Sequence, residues 1–262
     1  MGGGSRGGSD GPPVPSELDA MKYRDVWWDN EEDETHGAEI EMDAHHRLIQ
    51  EKYRRLAPWF DNVAAPFFGA AFQREAVSLL HLKSGDAVVD VACGTGSNFA
   101  AIEQGIGQSG RLIGIDLSEE MLQRARARVV LHGWTNVTLI NAAIEQVYID
   151  AVADALLFSF AHDVLQSPHA LHNLFKYAGP DARVAACGIK LPPMWNMLPA
   201  FFIFQIARYY HTMPSGLSKP WMHLIAFISN PEIQLRAFET IYIVHGTARA
   251  TGSAPHPNTS VS

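Results

Sequence analysis

The chain has 262 residues, 20 Lys and Arg against 28 Asp and Glu, 12 His and 2 Cys. A formal charge of -8 argues against the basic face with which a nucleic-acid binder meets phosphate, and it offers no polybasic attraction to an anionic membrane. With 47% hydrophobic residues the chain can build a core, while two cysteines cannot make a disulfide framework and no run reaches the ~20 apolar residues of a membrane span.

Residues 1–18 are rich in Gly, Ser and Pro, bury too little apolar surface to offset chain entropy, and are expected to be a disordered tail, as is 251–262. The beginning MGGGSRGGSDGPPVPSE has no signal or transit layout, so a cytoplasmic protein is expected. Residues 19–82 read as an N-terminal helical cap. Tyr53, Leu56, Trp59 and Phe60 share one helical stripe, Pro58 and Pro66 interrupt it, and a further helix is expected over 72–80.

Residues 83–188 read as a core in which strands alternate with helices. Strands are expected at 87–91, 112–115, 137–140, 155–158 and 183–187. Helices are expected over 98–104, stopped by Gly105, over 168–177, and after Ser118. Ser118 is a good N-cap, with Glu119 and Glu120 in the first turn and Met121, Leu122, Ala125 and Val129 turned inward. Such alternation means a parallel sheet covered on both faces. Residues 189–230 hold Trp195, Phe201, Phe202, Tyr209, Tyr210, His211 and Trp221; the stretch is long for a plain connection and reads as a lid or acceptor insert. Within 231–250, the runs 233–237 and 240–245 lie too close for a crossover helix, which predicts an antiparallel hairpin at the sheet edge.

The chemistry concentrates in Val88-Val89-Asp90-Val91-Ala92-Cys93-Gly94-Thr95-Gly96, with Asp116 twenty residues beyond Gly96. A strand, a glycine turn and a helix start let a ligand approach backbone N–H groups closely, and an acid ending the next strand can accept both hydroxyls of a ribose. A phosphate-binding loop needs Gly-Lys-Ser/Thr, but Ser97 and Asn98 follow the turn. A dinucleotide site needs a third glycine where Phe99 stands, and Asp90 would repel a diphosphate. S-adenosylmethionine carries a ribose, an ammonium and a sulfonium but no phosphate, so these charges favour it.

DVACGTG, the IDLS turn with Asp116, and a strand order ending in a hairpin resemble the class I S-adenosylmethionine-dependent methyltransferases. YRRLAPWFD ahead of the glycine motif is similar to the ubiquinone/menaquinone-biosynthesis branch and its small-molecule relatives. The resemblance covers about residues 50–246. It implies an α/β, Rossmann-like three-layer sandwich, whose seven-stranded, mostly parallel sheet ends in an antiparallel hairpin, with an N-terminal helical cap and an insert before the hairpin. It implies S-adenosylmethionine as cofactor, with Asp90, Ala92, Gly94, Gly96 and Asn98 at its methionine end and Asp116 on the ribose. Leu117 and Met121 stand beside the adenine, and Asn141, Ala142, Ala143 and Ile144 close over it; Phe158, Ser159 and His162 face cofactor and acceptor. Ala92 replaces the usual glycine, and Ala142 replaces a common acid, leaving the adenine to backbone groups.

His162 is the candidate base, oriented by Asp163, against the plainer roles of pocket wall and helix cap. Tyr53 is a candidate cofactor contact, against a core position. Trp27, Trp28, Trp59, Trp195, Tyr209, Tyr210 and His211 are candidate acceptor contacts, against packing; the Trp27-Trp28 pair serves equally as a lid or as a dock on a partner subunit. His45 and His46 with Glu41 and Asp43 lack a matched ligand set elsewhere, so no metal is expected. The expected function is methyl transfer to a small apolar or aromatic acceptor, a specialised metabolite before a quinone precursor or lipid headgroup. The alternative is a cofactor-binding, non-methylating enzyme such as a cyclase. Neither nucleic acid nor a membrane span is expected, and a homo-oligomer is left open.

Overall fold

The computed structural model describes residues 70–192 and 216–249. Tyr53, Trp27, Trp28, Trp59, Trp195, Tyr209, Tyr210 and His211 lie outside the described residues. The described chain runs α1 (Ala70–Leu79), β1 (Ala87–Val91), α2 (Phe99–Ile106), β2 (Arg111–Asp116), α3 (Glu119–His132), β3 (Val137–Asn141), β4 (Ala153–Ser159), α4 (His162–Leu165), α5 (Pro168–Phe175), β5 (Ala178–Ile189), a 3-10 turn (Leu224–Ala226), β6 (Ile228–Arg236) and β7 (Ile241–Ala248).

The seven strands form one sheet in the order β3-β2-β1-β4-β5-β7-β6. The first five in that order run parallel, and β7 is antiparallel to both β5 and β6. This is the architecture the alternating pattern and the closing hairpin predict. Side chains alternate between faces with period two. Val88, Leu112, Ala155, Leu157 and Ile243 pack on one face with Ala76, Phe99, Ile102 and Leu122 of α1, α2 and α3. Val89, Val91, Ile113, Leu156 and Phe158 pack on the other with Leu171, Leu174 and Phe175 of α5 and with Trp221.

Chain direction across the sheet reverses between β1 and β4, which lie side by side although β2 and β3 intervene in sequence. The crevice beyond the C-terminal ends of such a strand pair is where open α/β sheets bind ligands.

Several boundaries differ from the sequence expectation for identifiable reasons. Gly105 does not stop α2. A Cβ there would meet Leu82 at 2.8 Å, so the glycine admits that side chain against the helix. The stop is Gly107 at φ 63°, whose N–H bonds to the Glu103 carbonyl. Ser118 caps α3 as expected, accepting from Met121 N at 3.3 Å. Asp163 does not cap the helix over 168–175; it lies inside the short α4, and Ser167 caps α5 by accepting from Ala170 N at 3.2 Å. The hairpin strands reach 228–236 and 241–248, joined through three left-handed residues, Ala237, Phe238 and Glu239.

Gly114, central in β2, is enclosed tightly: a Cβ would meet Leu139 and Phe99 at 2.9 Å and Cys93 Sγ at 3.0 Å. Gly114→Ala is therefore expected to lower stability by about 1–3 kcal/mol through overpacking, measured by urea unfolding. An unchanged midpoint would show that the neighbours yield without cost.

Candidate functional site

The site is built where β1, β2 and β4 end. After Val91 the chain turns through Ala92 at φ 52°, Gly94 at φ 57° and Gly96 at φ 74°. The ring of Phe99 fills the space beside Gly96, 2.6 Å from where a Cβ would stand. Thus the bulky residue at the third-glycine position packs against the turn and meets Trp134 edge-on with centroids 6.4 Å apart. A Cβ on Gly94, by contrast, would meet no atom within 4 Å, leaving the turn open to a ligand.

Asp116 ends β2 and ties two loops together. Its Oδ2 accepts Gly94 N–H at 2.8 Å and its Oδ1 accepts Ser118 N–H at 2.8 Å. With the Leu117 amide also bonded to it, the carboxylate keeps one of its four lone-pair sites for a further donor. Burial pushes its pKa up to about 6, against the pull of the Ser118, Gly94 and Leu117 amides. Asn141 secures the same corner from β3, donating Nδ2 to the carbonyls of Asp116 and Leu117, both at 3.0 Å. Arg128 holds the glycine turn from α3 by donating to the Thr95 carbonyl at 3.1 Å.

Asp90 is fully buried in β1. Asn98 Nδ2 donates to both its oxygens, at 3.3 and 3.2 Å, so this asparagine serves the carboxylate and makes no side-chain cap for α2. Burial raises the Asp90 pKa to about 7; the Asn98 hydrogen bond opposes this and the Asp116 charge adds to it. Asn98 Oδ1 is buried without a hydrogen-bond partner among the described residues. A buried carboxylate and an orphaned amide oxygen are both acceptors, and they fit an ammonium group. The free site on the Asp116 carboxylate fits a ribose hydroxyl, and the open face of Gly94 leaves room for the chain between them. The described residues thus fit S-adenosylmethionine.

Of the remaining expected contacts, Met121 and Ile144 are buried, Leu117, Ala142 and Ala143 are half-buried, and Phe158 lies wholly within the core. Ser159 ends β4, and His162 is buried at the start of α4. Beside them Phe160 holds φ 56° and donates its N–H to the Cys187 carbonyl at 2.8 Å. The segment from 216 returns close to α4: Gln166 Nε2 donates to the Pro220 carbonyl at 3.1 Å. Cys93 and Cys187 are buried thiols; burial pushes Cys93 well up and Cys187 to about 12.

Sequence reasoning missed Gln73 of α1. Its Nε2 donates to Ser97 Oγ and to Ser159 Oγ, both at 3.1 Å, joining the glycine turn to the end of β4. No local pattern marks it, because its partners lie far along the chain.

Residues 88–181 match the family model described as a methyltransferase domain. Demethylmenaquinone methyltransferase of Shouchella clausii is 26% identical over 140 residues, covering 52% of this chain and 60% of that protein. The demethylmenaquinone methyltransferase of Symbiobacterium thermophilum is 28% identical over 164 residues, covering 60% and 65%. The chain therefore spans less than two thirds of the length of these curated relatives. A SAM-dependent methyltransferase from Aquifex aeolicus superposes with a TM-score of 0.53 at 18% identity, over 74% of this chain and 97% of that one. The N-methyltransferase NodS from Bradyrhizobium japonicum, solved with S-adenosyl-L-homocysteine, gives 0.57 at 12% identity, over 76% and 98%. At these identities the structural likeness is one of fold.

The raised Asp90 pKa has a testable sign. A carboxyl that holds its proton more tightly when folded costs stability as pH rises from its ordinary value of 3.8 to about 7. Asp90→Asn removes that cost. The variant is expected to be more stable than the parent at pH 8, by up to about 4 kcal/mol, with the difference vanishing towards pH 4. A variant less stable at pH 8 would show that the carboxylate is stabilised as an anion.

Proposed function

We propose that this chain is a class I S-adenosylmethionine-dependent methyltransferase that transfers a methyl group to a small, largely apolar or aromatic acceptor. The observation that carries this reading is the Asp116 carboxylate, fixed by the Gly94, Ser118 and Leu117 amides at the strand crossover. When bound, the cofactor supplies an electrophilic methyl on a sulfonium. The protein's part is then to hold, orient and dehydrate, a placement that is worth up to ~7–11 kcal/mol in favourable cases. Asp116 holds the ribose, Asp90 and Asn98 hold the ammonium end, and Gly94 lets the backbone approach, in a turn shaped by Ala92 and Gly96. Leu117, Met121, Ala142, Ala143 and Ile144 flank the adenine.

On the acceptor side, the sequence of residues 193–215, with Trp195, Tyr209, Tyr210 and His211, supports an aromatic acceptor. The demethylmenaquinone methyltransferases among the relatives favour a quinone precursor within that class, and a specialised metabolite fits the same chemistry. An acceptor that must lose a proton, such as a phenol or an acidic carbon, gains from a base. His162, buried where β4 ends, is the residue we assign to that role, with Asp163 beside it in sequence.

Two measurements test the reading. Native mass spectrometry of the full chain with added S-adenosylmethionine is expected to show a bound cofactor mass, and Asp116→Ala to weaken binding well beyond tenfold by calorimetry, since the ribose loses its charged acceptor. An unchanged affinity would remove the site. With reduced demethylmenaquinone as trial acceptor, His162→Gln is expected to lower kcat by ~10²–10⁴; an unaltered kcat would dismiss the histidine as base.

A further inference from the structure

Gln73 lies in α1, ahead of the stretch 88–181 that the family model matches. Its amide nitrogen has two hydrogens and gives them to Ser97 Oγ and Ser159 Oγ, each at 3.1 Å. Ser159 Oγ also receives the Cys187 thiol at 3.7 Å. A hydroxyl has two lone pairs and one hydrogen. With both lone pairs of Ser159 taken by incoming donors, its own hydrogen is left to give away. Ser97 likewise accepts from Gln73, and its exposed hydroxyl keeps its hydrogen for a ligand. One glutamine therefore sets two hydroxyls as donors, Ser97 in the glycine turn and Ser159 at the end of β4.

The neighbouring groups have the opposite character. Asn98 follows Ser97 directly and donates to Asp90, so the Asp90 carboxylate and Asn98 Oδ1 form an acceptor pair next to the donor pair. Acceptors beside donors complement an α-amino acid group, with the ammonium on one pair and the carboxylate on the other. We propose that Gln73 is a positioning residue that turns the Ser97 and Ser159 hydroxyls into a carboxylate-binding pair for the amino-acid arm of the methyl donor. This rests on the cofactor reading above and adds to it a specificity element contributed from outside the matched domain.

The test separates the two ideas by using two probes. S-adenosylhomocysteine carries the amino-acid arm; 5′-methylthioadenosine keeps the ribose and adenine and lacks the arm. Calorimetry on the full chain is expected to show S-adenosylhomocysteine about tenfold or more weaker in Gln73→Met. It should be weaker still in Gln73→Glu, whose carboxylate would draw both serine hydrogens inward and repel the ligand. Binding of 5′-methylthioadenosine should stay within about twofold in both variants, because its contacts are elsewhere. Equal losses on both probes would make Gln73 a merely structural tie, and no loss on either would remove its role; both results overturn the inference. Failure of the unaltered protein to bind either probe would reject the cofactor reading and this inference with it.

Discussion

Strand β1 is hydrogen-bonded to a parallel neighbour on each edge and is buried on both faces, so the polar groups it carries meet a ligand only where the strand ends. The features of the site follow from that constraint. Asp90 sits one residue before the end, sealed enough to raise its pKa and near enough to the turn for Asn98 to reach it. The turn that follows is fixed from two directions, by the Asp116 carboxylate on Gly94 N–H and by Arg128 on the Thr95 carbonyl. Because Asp116 is the last residue of β2, register between β1 and β2 places its carboxylate; a slip of one residue would turn it to the other face of the sheet.

The same two strand ends store backbone strain. Ala92 after β1 and Phe160 after β4 both hold left-handed φ values, which cost a residue with a Cβ roughly 1–2 kcal/mol each. Both are held by bonds to neighbouring strands: Cys93 N–H to the Ile115 carbonyl at 2.9 Å, and Phe160 N–H to the Cys187 carbonyl at 2.8 Å. Strain of this kind persists where the surroundings over-determine a conformation, and it gathers at ligand sites. At Ala92 the methyl group is carried in a conformation that glycine adopts readily, so this position shows directly what the departure from the usual glycine costs.

Much of this fold was legible in the sequence because parallel strands buried on both faces read as short continuous apolar runs, and because Ser118 followed by two glutamates is a local helix-start signal. The glycine turn and the spaced acid were legible as a candidate ligand site at the ends of β1 and β2. Other features were not, and the reasons are physical. Gly105 looks like a helix stop until Leu82, distant in sequence, is seen to need its missing side chain. Asn98 stands at a helix start and would be taken for a cap, yet a buried carboxylate competes more strongly for its amide. Gln73 is a polar residue on a half-buried helix, and only tertiary packing brings it to Ser97 and Ser159. The extension of β5 back to Ala178 follows from an irregular register against β4 between Ala153 and Ala155, which no periodicity announces.

The two thiols have a practical consequence. Cys93 and Cys187 are the only cysteines in the sequence, both are buried, and burial keeps both protonated at neutral pH. A thiol without thiolate character reacts sluggishly with alkylating agents and disulfide reagents. They share one core cluster, Cys93 within the glycine turn and Cys187 in β5 beside Ser159 at the end of β4. Their labelling rate therefore clocks the opening of the core around the site, and slower labelling in the presence of a ligand would register binding in a molecule that carries no engineered probe.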